Sequence, residues 1–214
     1  MTKSNIQPII MHYESCLARY GDTHLGVDWP NAEDAEKRYD VMLDLVTRPI
    51  VGQTLLDFGC GASHLFRKMQ SGEHSCLKYT GLDISNAFCE LSRQKYPHNE
   101  YLCLDVLANP NKLQCFDYVV MNGVFTEKRE LSFVEMLEYF KLLLRTMFAK
   151  VRIGIAFNVM SKAVDWERDD LFHLPLDLLQ VFLTKELSRH FVIRNDYGLY
   201  EYTVYIYKNT PWPK

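Results

Sequence analysis

From Thr54 onward, apolar runs of strand length alternate with amphipathic segments of helix length, and this alternation most restricts the fold. Residues 54–58 read as a first strand, and 63–69 as a helix opening after a glycine turn. A second strand over 79–83 leads into a helix through residue 94, and 101–104 forms a third strand. A fourth strand over 116–121 precedes a long helix over 132–148. A fifth strand covers 151–157 and a further helix 176–189. The last two strands, 191–195 and 202–207, are separated only by 196–201, where Gly198 supplies the turn. A parallel crossover needs a dozen residues or more, so these two strands are antiparallel. The reading is an α/β fold: a doubly wound, mostly parallel sheet of seven strands with a terminal antiparallel hairpin. Ligands of such sheets sit outside the carboxyl ends of the strands.

The first 50 residues have another character. Residues 9–20 read as a helix with apolar positions at Ile9, Ile10, Tyr13, Cys16, Leu17 and Tyr20. A turn-rich stretch containing Trp29 and Pro30 follows, and Asn31 is placed to cap a second helix over 32–47. The expected organisation is a helical cap over 1–50, a ligand-binding domain over 51–208 and a tail over 209–214. A chain of 214 residues suffices for one such domain.

A net charge of -3 and the lack of a Lys/Arg cluster argue against nucleic acid or a membrane surface as partner. No apolar run approaches the roughly 20 residues of a membrane span. The polar start of the chain shows no secretory signal, so a cytoplasmic location with reduced thiols is expected. None of the six cysteines forms a C-x-x-C pair, and most read as small buried hydrophobes. Neither length nor cysteine content speaks to oligomeric state.

The first strand runs into Asp57-Phe58-Gly59-Cys60-Gly61-Ala62-Ser63. Two glycines spaced i and i+2 let the backbone turn sharply and approach a ligand closely. A nucleotide or nucleoside site has this geometry, and so does an ordinary tight strand-to-helix turn. The third glycine of a dinucleotide fingerprint would fall at His64, where an imidazole obstructs close helix–strand packing. No Gly-Lys-Ser/Thr follows, which removes a P-loop. Asp83 ends the second strand, where a carboxylate can accept from ribose hydroxyls, although it also stands beside the N-cap candidate Ser85. Asp105 ends the third strand, with the Val106 backbone N–H next to it, and Asn122-Gly123 follows the fourth. Each has an ordinary loop or cap explanation alone; together they mark four consecutive strand ends.

Through Leu55-Leu56-Asp57-Phe58-Gly59-Cys60-Gly61, Gly81-Leu82-Asp83-Ile84-Ser85, Leu104-Asp105-Val106 and residues Phe116 to Asn122, the sequence resembles the class I S-adenosylmethionine-dependent methyltransferases. The resemblance spans about residues 54–208 and implies a Rossmann-like methyltransferase fold, S-adenosylmethionine as cofactor and S-adenosylhomocysteine as product. It implies that Gly59, Cys60 and Gly61 line the methionine part through backbone groups, and that Asp57 orients its amino group. Asp83, with Ile84 beside it, would bind the ribose. Asp105 and Val106 would read adenine, and Asn122 and Gly123 would flank the methionyl chain. Arg38 is a looser candidate for the cofactor carboxylate, with a solvated helix arginine as the other explanation. The Asn/Asp-Pro-Pro-Tyr/Phe signature of adenine and glutamine N-methyltransferases is absent, and no metal set is evident.

The expected reaction is methyl transfer to a hydroxyl or amine of a small molecule, such as a natural-product or cell-surface sugar intermediate. A cofactor-binding regulator or partner protein without transfer activity is the alternative reading. A nicotinamide-linked oxidoreductase is a third, opposed by His64. His173 is a candidate base by its titration range, although a surface or packing histidine is the commoner explanation of a lone His; His12 and His24 in the cap stand in the same position. Tyr13, Trp29, Phe125, Tyr197 and Tyr200 are candidate walls of an acceptor pocket, or core residues. The charged stretch 158–175 is expected to be a lid or acceptor-selecting loop.

Overall fold

The computed structural model describes residues 3–210, with side chains described from residue 6. The cap consists of α1 (Lys3–Tyr20), a short tight turn (Leu25–Val27) and α2 (Ala32–Leu43). The Asn31 side chain accepts from the Asp34 N–H and starts α2 as its sequence predicts, but α2 ends at Leu43 and continues to residue 46 as single turns. Then follow β1 (Thr54–Phe58), α3 (His64–Gln70), β2 (Lys78–Asp83), α4 (Asn86–Lys95) and β3 (Glu100–Cys103). The second half adds β4 (Phe116–Met121), α5 (Phe133–Ala149), β5 (Val151–Ser161), β6 (His173–Leu174) and α6 (Leu176–Phe182). It closes with β7 (Phe191–Arg194) and β8 (Glu201–Tyr207). Ser132 begins α5 with a reciprocal capping box to Glu135.

The strands order as β3-β2-β1-β4-β5-β8-β7, with β6 on the far end of β5. The sheet therefore has eight strands rather than seven, the extra one being the two-residue β6. β8 runs antiparallel to both β5 and β7, so it alone opposes the sheet direction. The predicted helix over 176–189 stops being α-helical at Phe182 and ends in a π-helical turn, Leu183–Leu187.

Two-residue periodicity sorts the strands between two cores. Val119 and Met121 of β4, with Phe157 of β5 and Val204 of β8, face α5 and α6. Tyr118, Val120, Ala156 and Tyr205 face α2 and α3. That alternation also directs Asn158 and Glu201 toward the cap side, where both are buried polar residues. The cysteines divide differently from the expectation. Cys60 and Cys89 are buried, Cys16 and Cys76 half-buried, and Cys103 and Cys115 exposed, because the last two fall at strand and loop ends.

The strand order reverses direction between β1 and β4. Their carboxyl ends flank a crevice at this switch point, which is where an open α/β sheet takes its ligand.

Candidate functional site

The cleft at the switch point is lined by the β1 loop, the ends of β2, β3 and β4, and the cap. The β1 loop is bent by left-handed backbone at Gly59 (φ +74°), Gly61 (φ +50°) and Ser63 (φ +57°). The Gly59 and Cys60 N–H groups both donate to the Leu82 carbonyl, tying the loop to β2. A Cβ on Gly59 would lie 2.8 Å from a Val124 methyl, so glycine there lets two loops close on each other.

Asp83 fastens the same loop from β2. One carboxylate oxygen accepts from Gly61 N–H and the other from Ser85 N–H, both at 2.9 Å. Burial raises its pKa, opposed by those backbone donors. Asp57 is buried beneath the loop, where the Tyr79 hydroxyl donates to it at 2.8 Å. Burial, reinforced by the Asp83 charge, pushes the Asp57 carboxyl up to about 7. A carboxyl raised on folding holds its proton in the native state, so it lowers stability as pH climbs from about 4 to about 7. A cation beside Asp57 would favour the ionised form and oppose that loss.

The end of β3 supplies Asp105, which accepts from Ala108 N–H at 3.1 Å, and the buried Val106. Leu107, together with Tyr139 and Leu143 of α5, completes an apolar slot beside them. After β4, the Asn122 amide oxygen is, among the described residues, the buried side-chain polar atom without a hydrogen-bond partner. An orphan acceptor lining a cleft marks a place for a donor from a ligand. Gly123 next to it has φ +76° and donates its N–H to the Asn158 side chain at 2.7 Å.

The cap forms the remaining wall through Ile6, Ile9, Ile10 and Tyr13 of α1, with Val27 and Trp29. The Tyr13 hydroxyl donates to the Gly123 carbonyl at 3.3 Å, and burial keeps this phenol protonated. Trp29 is pinned between Gly123, where a Cβ would come within 2.9 Å of the indole, and the Arg38 guanidinium, 4.2 Å from the ring centroid. Gly123→Ala should therefore combine left-handed strain with an indole that cannot retreat, destabilising by about 2–3 kcal/mol. At about 2–4 °C per kcal/mol for a chain of this size, the expected fall in Tm is about 4–12 °C. An unchanged melting curve would show that Trp29 yields freely.

A family model described as "Methyltransferase domain" matches residues 56–146, which span β1 to most of α5. A Mycobacterium tuberculosis protein named "Putative methyltransferase Rv1506c" is 24% identical over 157 residues, covering 71% of this chain and 91% of its own. The chain carries a methyltransferase domain. The methyltransferase shares its fold with the magnesium protoporphyrin IX methyltransferase of Synechocystis PCC 6803, solved with the cofactor bound. The TM-score is 0.68 at 13% identity, over 97% of this chain and 99% of that one. The N-methyltransferase NodS from Bradyrhizobium japonicum, in complex with S-adenosyl-L-homocysteine, superposes at TM-score 0.64 and 16% identity, over 95% and 98% of the two chains. The donor chemistry of the cleft fits the cofactor: carboxylates at the ends of β1, β2 and β3, an orphan amide oxygen, and glycines where a side chain would intrude.

Of the residues the sequence nominates, the cleft of the methyltransferase gathers Asp57, Gly59, Cys60, Gly61, Asp83, Ile84, Asp105, Val106, Asn122, Gly123, Tyr13 and Trp29. It does not gather Arg38, Phe125, Tyr197, Tyr200 or His173. Arg38 is committed to Glu201 at 2.9 Å and to the face of Trp29, so it positions the wall rather than offering a free guanidinium. Phe125 is fully buried in an aromatic cluster with Phe140 and Phe157. Tyr197 is held by the Thr203 hydroxyl, and Tyr200 projects into solvent just ahead of β8. His173 lies buried on β6, its Nδ1 2.6 Å from the Ser161 carbonyl and its Nε2 accepting from Arg168 N–H. Both ring nitrogens thus satisfy backbone, which makes it a structural histidine.

The stretch 158–175 is also not a cleft wall. Asn158 is interior to β5, residues 171–174 are buried, and the charges between pair locally as Lys162–Glu167 and Arg168–Asp170. His24 supports Trp29 through its carbonyl at 2.6 Å. His64 lines the cleft with its Nε2 bonded to Asp22, and burial lowers its pKa. Sequence reasoning missed Ile6, Tyr139 and Leu143 as lining residues. It also missed the buried relay in which Glu201 bonds Arg38 and Asn158, and Asn158 bonds Gly123.

Proposed function

We propose that the methyltransferase transfers a methyl group to a hydroxyl or amine of a small molecule with an apolar body. The observation that carries this reading is the acceptor-side wall: Ile6, Ile9, Ile10, Tyr13 and Trp29 form an apolar surface with a single phenol. A nucleic-acid acceptor would call for a basic surface, whereas the chain carries a net charge of -3. Asp83 takes the ribose hydroxyls on the lone pairs its backbone bonds leave free. Asp105 and the Val106 N–H take the adenine edge in the slot beside Tyr139 and Leu143. Asn122 and Asp57 receive the ammonium of the methionyl part.

When bound, the cofactor supplies a sulfonium-activated methyl group for in-line displacement. Because that group is already activated, the chain's own task is to orient the acceptor and exclude water. The aliphatic side chains of α1 exclude water over the cleft mouth. The Tyr13 hydroxyl, donating to Gly123, links that helix to the loop after β4. A natural-product intermediate fits this apolar wall better than a bare sugar. The Synechocystis neighbour, whose name gives magnesium protoporphyrin IX as substrate, is an example of the class.

The test is release of S-adenosylhomocysteine from the purified chain against hydroxyl- and amine-bearing small molecules, with RNA, DNA and unfolded protein as comparison acceptors. Turnover with apolar small molecules is expected. Ile9→Ala should raise the acceptor KM roughly tenfold while changing the Kd for S-adenosylmethionine by less than about threefold. Turnover confined to a polymer would overturn the reading.

A further inference from the structure

Outside the cleft, α1 and the tight turn after it bring three metal-ligating side chains to one point. His12 and Cys16 are one helical turn apart and share a face of α1. Asp28 comes from the end of the turn Leu25–Val27, where the backbone adopts a left-handed conformation (φ 61°, ψ 30°). His12 Nε2 lies 2.8 Å from Asp28 Oδ2. Cys16 Sγ lies 3.7 Å from Asp28 Oδ1 and 3.9 Å from His12 Nε2. One ligand atom from each of the three residues can be chosen so that all lie within 4.8 Å of one another.

From these distances we infer that His12, Cys16 and Asp28 form a binding site for a tetrahedral divalent cation of the zinc class. Bonds of about 2.0–2.3 Å to nitrogen, oxygen and sulfur put tetrahedral ligands roughly 3.3–3.8 Å apart. The Cys16–Asp28 distance of 3.7 Å falls within that span, and the Cys16–His12 distance of 3.9 Å lies just beyond it. His12 meets Oδ2 of Asp28 and Cys16 meets Oδ1, so the carboxylate turns to present a single oxygen, and the imidazole–carboxylate contact opens by about half an ångström when the metal replaces the shared proton. The ligand set is mixed thiolate, imidazole and carboxylate, which suits zinc rather than magnesium or calcium. Cys16 binds as thiolate, its proton passing to solvent, and His12 binds as neutral imidazole.

A water would complete the set; Glu127, a buried carboxyl from the loop after β4, feels the charges of both His12 and Asp28. Arg129 pairs with Glu127 and Asp170 and balances the surplus acid on that side. The sequence shows no metal set because Asp28 follows Cys16 by 12 residues through an irregular turn. The metal would staple α1, which carries Ile9 and Tyr13, to the turn that leads into Val27 and Trp29. It would thereby order the cap wall without touching the cofactor.

The experiment is titration of the chelator-treated full chain with Co2+, then displacement by Zn2+. One equivalent is expected, with the visible bands of tetrahedral Co2+ and a near-ultraviolet thiolate charge-transfer band. Cys16→Ser should abolish the charge-transfer band, and His12→Ala or Asp28→Asn should weaken binding at least tenfold. Asp28→Asn keeps a residue type that tolerates the left-handed turn, so it tests ligation with the fold intact. Wild-type affinity weaker than about 100 μM, octahedral spectra, or equal binding by all three variants would overturn the proposal.

Discussion

Replacing Asp83 by alanine is expected to weaken S-adenosylmethionine and S-adenosylhomocysteine binding alike by about 10²–10⁴-fold. A carboxylate oxygen has two lone-pair sites, and each oxygen of Asp83 spends one on a backbone N–H, from Gly61 and from Ser85. The remaining lone pairs, on which the Ile84 N–H also bears, are those available to the two ribose hydroxyls. Hydrogen bonds to a charged group contribute about 1.5–3 kcal/mol each, so losing two costs about 3–6 kcal/mol, or two to four decades in Kd. The alanine also leaves the Gly61 and Ser85 N–H groups without their acceptor and frees the glycine loop. Asp83→Asn sharpens the test. Its NH2 would have to face one of those two donors, so the amide should bind within about tenfold of the alanine variant. Calorimetry on the three proteins decides the matter. A loss below about threefold in Asp83→Ala would show that the ribose lies elsewhere, and near-native binding by Asp83→Asn would show that the twin acceptor role is wrong.

Arg38→Ala should give the largest loss of stability among single changes near the cleft. The Glu201 side chain is 1% exposed and Arg38 12%, so removing the guanidinium strands a buried carboxylate. Breaking such a pair costs about 3–5 kcal/mol, which lowers Tm by roughly 6–20 °C in a chain of this size. The damage should reach the cleft, because Glu201 also accepts from Asn158, whose amide oxygen holds the Gly123 N–H. Trp29 loses the cation on its outer face at the same time. The double variant Arg38→Met, Glu201→Gln removes both charges and should recover most of the lost Tm. Scanning calorimetry distinguishes the cases: a fall under about 2 °C in Arg38→Ala would mean that water reaches Glu201 and screens it.

The strand ends were legible because they obey local rules. An apolar run followed by Gly59-Cys60-Gly61, or by Asp83 ahead of Ser85, fixes a turn within a few residues, and parallel topology brings all such turns to one edge. Helix starts at Asn31 and Ser85 follow the same local chemistry. The relay through Arg38, Glu201, Asn158 and Gly123 was not legible, since its links join residues 163, 43 and 35 positions apart. Nothing in β8 alone says that it inserts beside β5. His173 failed as a base because residue type carries no information on what its two nitrogens bind. Phe125 failed as a pocket wall because an aromatic ring suits a core and a pocket equally well. The apolar stripe on α1 was visible, but a stripe does not disclose that Ile6, Ile9 and Ile10 cover a ligand cleft rather than a core.

The placement of β8 between β5 and β7 also bears on how the chain is made. A ribosome adds roughly 5–20 residues per second, so Arg38 emerges about 8–33 s before Glu201, 163 residues later. Throughout that interval the nascent cap holds Arg38 without its Glu201 partner, and once β5 is made its edge stays open until β8 follows. The first strands can pair during translation, yet the loop that Gly123 anchors is finished only when the end of the sheet has been synthesised and slotted inward. Any ligand that reaches the half-made protein early would find Asp83 and the glycine loop in place and the opposite wall still unfastened.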